Sequence, residues 1–171
     1  YYLSKHFPDL KFLLCDGISG KSVTQKQVDE HDFIIIPPWY EVEGVKFDLF
    51  INTRSMMEMN YRVIKKYFDF IHKNLATGGF FFNVNRYRKE SVGYPIELSK
   101  YPYDKNWQVV SSKASWKQKH IHQLITERRA DHGDVADELQ KIDEITTKLG
   151  LKKKIRSTKD LLLKIRQLVN R

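Results

Sequence analysis

The sequence reads FDLFINTRSMMEMNYRVIKKYFDFIHKNLATGGFFFNV over residues 47–84, and this stretch indicates the fold of the chain most clearly. Its first six residues are a strand candidate, mostly apolar after Asp48, that reaches a polar cluster at Asn52. Residues 61–75 then carry apolar side chains at helical spacing, and the pair Gly78-Gly79 can turn the chain at the carboxyl cap of that helix. Residues 80–84 form a second buried strand. Strand, helix, glycine turn and strand in this order predict a right-handed βαβ crossover, the unit of a doubly wound sheet.

Two further strands are predicted upstream of this unit. Residues 11–15 form a short strand, and residues 33–36, Phe-Ile-Ile-Ile, form another that a proline pair stops. Because the second run lacks polar alternation, we expect it to be covered on both faces. A short helix is expected around residues 23–28. The single cysteine, Cys15, is expected to be a buried free thiol, which favours a reducing, cytoplasmic compartment.

Downstream, the pattern predicts a hairpin followed by a helical tail. Residues 107–112 and 120–128 are strand candidates with no helical pattern between them, so the sheet is expected to end in an antiparallel pair. After residue 132 apolar residues recur at helical spacing. Gly150 is expected to close this helix and Ser157 to cap a last one. We therefore expect an α/β domain over residues 1–132 and a basic helical tail over residues 133–171.

The charge of the chain is concentrated in that tail. The formal net charge is +9 over 171 residues. Residues 148–171 contain nine Lys or Arg and one acidic residue, which leaves the remainder nearly neutral. A phosphate-binding groove in the α/β part would need basic residues concentrated there, so nucleic acid is not an expected partner. No apolar run approaches the roughly 20 residues that span a bilayer, so no transmembrane segment is expected.

Several strings of the sequence resemble one family. Phe47-Asp48 through Glu58-Met59, then residues 75–87 with Gly78-Gly79 and Asn85-Arg86-Tyr87, are similar to the sugar O-methyltransferases, as are residues 36–39 and 115–122. These enzymes use S-adenosylmethionine and have the class I, Rossmann-like fold. The resemblance covers residues 1–129. It implies a Rossmann-like class I methyltransferase sheet that lacks its first strands, ends in an antiparallel hairpin and carries a C-terminal helical tail.

The same resemblance implies that part of the cofactor site lies outside this sequence. The class I fold holds the methionine part of S-adenosylmethionine with a glycine-rich turn after the first strand, and holds the ribose with an acidic residue after the second. The eight glycines here include no Gly-x-Gly spacing. The resemblance places Tyr1 in the helix after the second strand, so both features are expected upstream. The chain is accordingly expected to be the C-terminal part of the enzyme and inactive alone.

Cofactor contacts are expected at two strand ends, because ligands of a doubly wound sheet lie outside the carboxyl ends of its strands. Pro37, Pro38 and Trp39 end the strand beside which class I enzymes place the adenine, and could form one wall of its pocket. The alternative is an ordinary strand-ending turn with a packed tryptophan. Asn52 and Thr53 end the strand that faces the transferred methyl group, and are expected to orient the cofactor.

Methyl transfer to a hydroxyl needs alignment and removal of the hydroxyl proton, so a carboxylate or neutral imidazole is expected near the acceptor. Glu58 is the first candidate for this base, although a glutamate at an exposed helix start is the alternative. His120 and His122 are the others. If both lie on one strand, they point to the same side and could share a site. No metal is expected, because no third ligand at a recognisable spacing accompanies them.

Acceptor contacts are expected from Arg54, Asn85, Arg86 and Tyr87. Arg54 suits an anionic or hydroxyl-rich acceptor, with an ordinary salt bridge as its alternative. The other three leave the strand of residues 80–84, where amide, guanidinium and planar aromatic groups suit sugar hydroxyls and ring faces. The acceptor implied by the resemblance is a sugar or glycan. The rival interpretation is a non-catalytic Rossmann-like scaffold whose basic tail mediates self-association or binds a partner or an anionic surface.

Overall fold

The computed structural model describes residues 2–90 and 93–169, with side chains along the last helix described as far as residue 150 and again at residues 158 and 159. The chain forms two compact units, Tyr1–Phe47 and Asp48–Arg171. The boundary expected after residue 132 was drawn from composition, and it stays a prediction.

The first unit is built from short elements. They are α1 (Tyr2–His6), β1 (Phe12–Leu14), β2 (Ser22–Thr24), α2 (Gln25–Glu30), β3 (Phe33–Ile35) and β4 (Glu41–Glu43). β1 pairs with β3 and β2 pairs with β4, both in parallel. The helix α2 begins with a capping box, in which the side chains of Thr24 and Gln27 bond to each other's backbone N–H groups. This cap explains why Val23 lies in a strand and the helix starts two residues later.

Two expectations about burial in the first unit are wrong. Cys15 is exposed, because it opens a 3-10 turn directly after β1. The strand β3 is not covered on both faces, since Phe33 and Ile35 are 40% and 48% exposed. Phe33 instead stacks on Phe12 of the neighbouring strand, with ring centroids 5.0 Å apart. An apolar run alone does not reveal that its strand belongs to a two-stranded sheet.

The second unit is a mixed α/β structure around a four-stranded sheet in the order β5-β6-β10-β9. Its elements are β5 (Phe47–Thr53), α3 (Tyr61–Asn74), β6 (Leu75–Arg86), β7 (Arg88–Lys89), β8 (Ile96–Glu97), β9 (Trp107–Ala114), β10 (Ile121–Arg128) and α4 (Val135–Val169). β10 is antiparallel to both β6 and β9, so the predicted hairpin is confirmed. The α/β class with a helical C-terminal segment is likewise confirmed.

β5 and β6 run in the same direction, as the βαβ pattern predicts. At their carboxyl ends the N–H of Arg54 donates to the carbonyl of Val84 at 2.7 Å. At their amino ends a Cβ on Gly79 would lie 3.1 Å from the carbonyl oxygen of Asp48. The glycine pair was expected at the carboxyl cap of α3. That expectation is wrong, because the cap is Leu75 and the glycines lie within β6, where the two backbones approach closely.

The connecting helix α3 covers one face of the sheet. Asn60 caps it by accepting a hydrogen bond from the N–H of Val63 at 2.9 Å. Its buried stripe includes Ile64, Phe68 and Ile71. Phe68 lies at the centre of an aromatic cluster, edge-on to Phe81, Tyr101 and Tyr103. This apolar core holds α3 against the sheet and so fixes the positions of the strand ends.

The C-terminal helix is continuous from Val135 to Val169. Gly150 was expected to end a helix and Ser157 to begin another, and both expectations are wrong. Gly150 has no positive φ, so it makes no left-handed cap. The start of α4 packs on β9 and on the 3-10 turn Leu98–Lys100, and it buries Val135 and Ile142. Among the described residues, no helix is long and apolar enough to cross a membrane.

Two glycine substitutions test this account of α4. Gly150→Ala should raise the free energy of unfolding by up to about 1 kcal/mol, because alanine is the better helix former and a Cβ there meets nothing within 4 Å. Gly133→Ala should lower it by about 2 kcal/mol or more, because its Cβ would lie 1.9 Å from the carbonyl oxygen of Trp107. Urea titration measures both. Destabilisation by Gly150→Ala would mean that a helix does end there.

Candidate functional site

Polar side chains meet where β5 and β6 end. Asn85 donates a hydrogen bond from Nδ2 to Oδ1 of Asn52 at 3.0 Å, which joins the carboxyl ends of the two strands. Oδ1 of Asn85 also accepts from the N–H of Met57 at 3.2 Å, in the 3-10 turn Met56–Glu58 that follows β5. Because these strands are parallel, both carboxyl ends lie on one edge of the sheet. We call this part of the molecule the polar edge.

The polar edge continues into the core through a second asparagine. Nδ2 of Asn85 also donates to Oδ1 of Asn83, and Nδ2 of Asn83 donates to the hydroxyl of Tyr103 at 3.1 Å. Asn83 and Asn85 are fully buried. Burial raises the pKa of Tyr103 far above its usual range, so its hydroxyl stays protonated. A buried polar network with its partners in place is rigid, so it holds Asn52 in one orientation.

The rim of the polar edge is accessible. Asn52 is half-buried, and its Nδ2 donates to Oγ of Ser55 at 2.5 Å. Thr53 and Arg54 are exposed. Arg54 has a φ of 64°, a left-handed conformation that costs a non-glycine residue about 1–2 kcal/mol, and its N–H is held by Val84. The structure thus brings these three predicted residues together, with the last two facing solvent.

Glu58 lies close to this rim, at the end of the turn Met56–Glu58. Its side chain is about half exposed and forms an ion pair with Lys89, whose side chain is largely buried. Sequence reasoning did not find Lys89, because the pairing depends on β7 returning beside the turn. The carboxylate of Glu58 is thus accessible to solvent and held in place by a cation.

A second hydrogen-bonded chain runs from the end of β6 to α4. Ser112 donates from Oγ to Oε1 of Glu138 at 2.5 Å, and its oxygen lies 2.8 Å from Nε2 of His122. Nε2 must then carry the proton, which leaves Nδ1 to accept from the hydroxyl of Tyr87 at 2.9 Å. Burial and the nearby Glu138 raise the pKa of Tyr87, which keeps that hydroxyl protonated. Each donor in the chain is thereby matched to one acceptor.

The two histidine candidates lie in different surroundings. His122 is buried, and burial lowers its pKa to about 4, so its ring is neutral at neutral pH. Both of its ring nitrogens bond within the protein. His120 is exposed in the turn before β10, where its carbonyl accepts from the N–H of Tyr87 at 3.2 Å. The strand begins one residue later, so His120 lies in the turn while His122 lies within the strand, and a shared site for the two stays a prediction.

The remaining predicted site residues differ in burial and in their partners. Asn85 and Tyr87 are buried, and their polar atoms serve the two networks. Arg86 is half-buried beside Ile121 of β10, and its buried Nε has no hydrogen-bond partner among the described residues. In the first unit, the turn that begins at Pro37 and Pro38 is closed by a hydrogen bond from the N–H of Tyr40 to the carbonyl of Pro37, and Trp39 is 68% exposed. Trp39 is therefore not the packed tryptophan of an ordinary turn.

The opposite edge of the sheet carries a pocket of about 380 Å³. Its lining residues are Thr77, Gly78, Glu127, Arg128, Arg129, Ala130 and Asp131. The guanidinium of Arg129 lies 3.6 Å from the carboxylates of Glu127 and Asp131, so its charge is already balanced. The hydrogen-bonded networks lie at the other end of β6. Among the residues whose side chains the structure describes, no group of three His, Cys, Asp or Glu could hold a metal ion.

Comparison with known proteins found no match for this chain among family models, curated proteins or solved structures.

The buried His122 predicts an acid-sensitive fold. The unfolded imidazole has a pKa near 6.5 and the folded one about 4, so stability is complete above pH 6.5 and is lost as the pH falls toward 4. The loss should reach about 3 kcal/mol. Burial also lowers the pKa of His72, which adds to the same slope. His122→Gln should flatten the slope and His120→Gln should keep it, as urea titrations over this pH range would show. An unchanged slope in His122→Gln would contradict the assignment.

Proposed function

We propose that the polar edge serves the transfer of a methyl group from S-adenosylmethionine to a hydroxyl of a sugar or glycan. The observation that carries this proposal is the hydrogen bond between Asn52 and Asn85, which brings two polar strand ends to one edge of the sheet. Ligands of sheets with this topology bind outside the carboxyl ends of the strands. The resemblance of residues 47–59 and 75–87 to sugar O-methyltransferases supports the choice of reaction.

The residues of the rim fit part of such a cofactor site. Asn52 is half-buried with a fixed amide, and Thr53 offers an exposed hydroxyl, so both suit the polar groups of the cofactor. The glycine-rich turn that completes such sites in the class I fold is proposed to come from outside this sequence. When bound, S-adenosylmethionine supplies an electrophilic methyl group on a sulfonium centre.

The acceptor hydroxyl must lose its proton as it is methylated. We assign this step to Glu58, because its carboxylate is accessible and Lys89 holds it in place. Arg54 and Arg86 are assigned to the acceptor, since each carries a guanidinium beside the polar edge. His120 is the alternative base, since its ring is exposed.

The buried residues of the two networks are assigned a positioning role. Asn85 acts through Asn52, whose amide it orients, and Tyr87 acts through His122. His122 is neutral and could accept a proton, but Tyr87 and Ser112 occupy its two nitrogens. These side chains would align the rim, and alignment accounts for a large share of catalysis in displacement reactions.

A non-catalytic scaffold is the second candidate function. It is favoured by the same internal hydrogen bonding, because Asn85, Tyr87 and His122 already have partners within the protein. In that case the networks only stabilise the docking of α4, and the basic C-terminal residues carry the binding function. The two functions differ in whether the polar edge binds a cofactor.

Calorimetric titration with S-adenosylhomocysteine separates them. The titration would use this chain and a version extended at its amino terminus to include the expected glycine-rich turn. We expect binding by the extended chain, and Asn52→Ala should weaken it about tenfold, the effect of one lost hydrogen bond to a ligand. Thr77→Ala, at the opposite edge, should leave the affinity unchanged. A folded extended chain that does not bind would favour the scaffold.

A further inference from the structure

The turn between β9 and β10 presents an exposed tryptophan. Residues 115–120, here called the hairpin tip, read Ser-Trp-Lys-Gln-Lys-His. Trp116 is 77% exposed, although a tryptophan is among the side chains that gain most from burial. The ammonium of Lys117 lies 4.8 Å from the centre of its ring, within the range of a cation–π contact. An apolar ring and a cation are therefore offered to solvent together.

The charged side chains of the hairpin tip, and of the end of β9 that leads into it, are all basic. Lys113, Lys117 and Lys119 are all exposed, and the sequence has no Asp or Glu from residue 105 to residue 126. The ion pairs of the described residues include none of these three lysines, whereas other lysines of the second unit, such as Lys89 and Lys100, pair with carboxylates. The three ammonium groups are thus free to meet an anionic ligand.

The tip is ordered and adjoins the polar edge. The N–H of Ile121 donates to the carbonyl of Gln118, and the N–H of Ser115 donates to the carbonyl of Ile121, both at 2.8 Å. The carbonyl of His120 accepts from the N–H of Tyr87 at the end of β6. Since Ile121 pairs with Arg86, the turn projects beyond the same strand end that carries the proposed acceptor residues.

We infer that the hairpin tip recognises an acidic carbohydrate, with Trp116 stacking on a sugar ring and Lys117 and Lys119 pairing with its carboxylate. The inference rests on the proposed function, in which the polar edge methylates a glycan hydroxyl, and it names the class of that acceptor. The apolar face of a sugar ring suits the flat indole. A carboxylate carried on the stacked sugar would lie beside the ammonium of Lys117, which is next to the indole, and Lys119 follows two residues later.

A nucleic acid would fit this surface less well. Proteins that bind single strands stack several successive bases on aromatic side chains along a basic groove. The hairpin tip has one exposed aromatic ring and two lysines, with Lys113 just before it, enough for one charged ring and its neighbours. A single-stranded oligonucleotide is therefore the competing probe in the test.

Tryptophan fluorescence can report on the tip in the whole chain. Trp107 is fully buried, so Trp39→Phe leaves Trp116 as the one exposed tryptophan. An oligogalacturonate should protect Trp116 from quenching by acrylamide, whereas a neutral galacto-oligosaccharide of equal length should protect it much less. Lys117→Gln with Lys119→Gln should weaken binding about tenfold, and the matched pair Lys66→Gln with Lys105→Gln should not. Binding should weaken as salt screens the lysines.

Three results would overturn the inference. One is equal binding of the neutral oligosaccharide, another is tighter binding of oligothymidylate, and the third is calorimetric affinity for oligogalacturonate that survives Trp116→Ala. Because Trp116 is exposed, that variant should keep its fold, which circular dichroism checks. The assay contains no methyl donor, so it separates the two proposals. If the protein binds the acidic glycan but not S-adenosylhomocysteine, the methyl-transfer proposal and the acceptor role of the glycan are both overturned. If it binds S-adenosylhomocysteine but not the acidic glycan, only the inference about the hairpin tip is overturned.

Discussion

The parallel pairing of β5 with β6 is the constraint on which the rest of the second unit depends. It brings the carbonyl of Asp48 close to Gly79, where a Cβ would also meet Leu75 and the carbonyl of Ala76 of β6 itself, and it brings Asn52 within hydrogen-bonding distance of Asn85. Once Asn85 is buried there, its amide must be satisfied, because an unpaired buried polar group costs about 1–3 kcal/mol. Asn83 and the N–H of Met57 meet that need. The polar edge is thus rigid inside and accessible at its rim.

In the second network, too, buried polar groups have hydrogen-bond partners, and here the partners attach α4 to the sheet. A buried imidazole is tolerated because it is neutral and because Tyr87 and Ser112 occupy its two nitrogens. Ser112 in turn requires an acceptor, which Glu138 of α4 supplies. The helix is therefore attached to the sheet by a directed polar chain as well as by apolar contacts such as that of Ile142. Tyr87 ends this chain directly after β6, two residues beyond Asn85.

The elements whose positions are set by local sequence patterns could be predicted from the sequence. The strand that begins at Phe47, the helix that follows it and the terminal hairpin all show periodicity within a few residues, and all are present. Features set by distant partners were not predicted. The exposure of Phe33 follows from pairing in a two-stranded sheet, and that of Cys15 from the turn that follows β1. Glu138 could not be matched to Ser112 before the course of α4 was known. At the candidate site, Asn52 and Asn85 were found because both end apolar strands, whereas the burial that separates His122 from His120 depends on where β10 begins.

If the polar edge is a binding site, ligands contact the carboxyl ends of β5 and β6. Nitrogen–proton correlation spectra of the form of the chain that binds S-adenosylhomocysteine, recorded with and without it, would locate the contact. We expect shifts in the backbone signals of Thr53 and Arg54 and in the side-chain amide of Asn52, with unchanged signals from Thr77, Gly78 and residues 127–131 at the opposite edge. Shifts confined to the opposite edge would contradict this expectation.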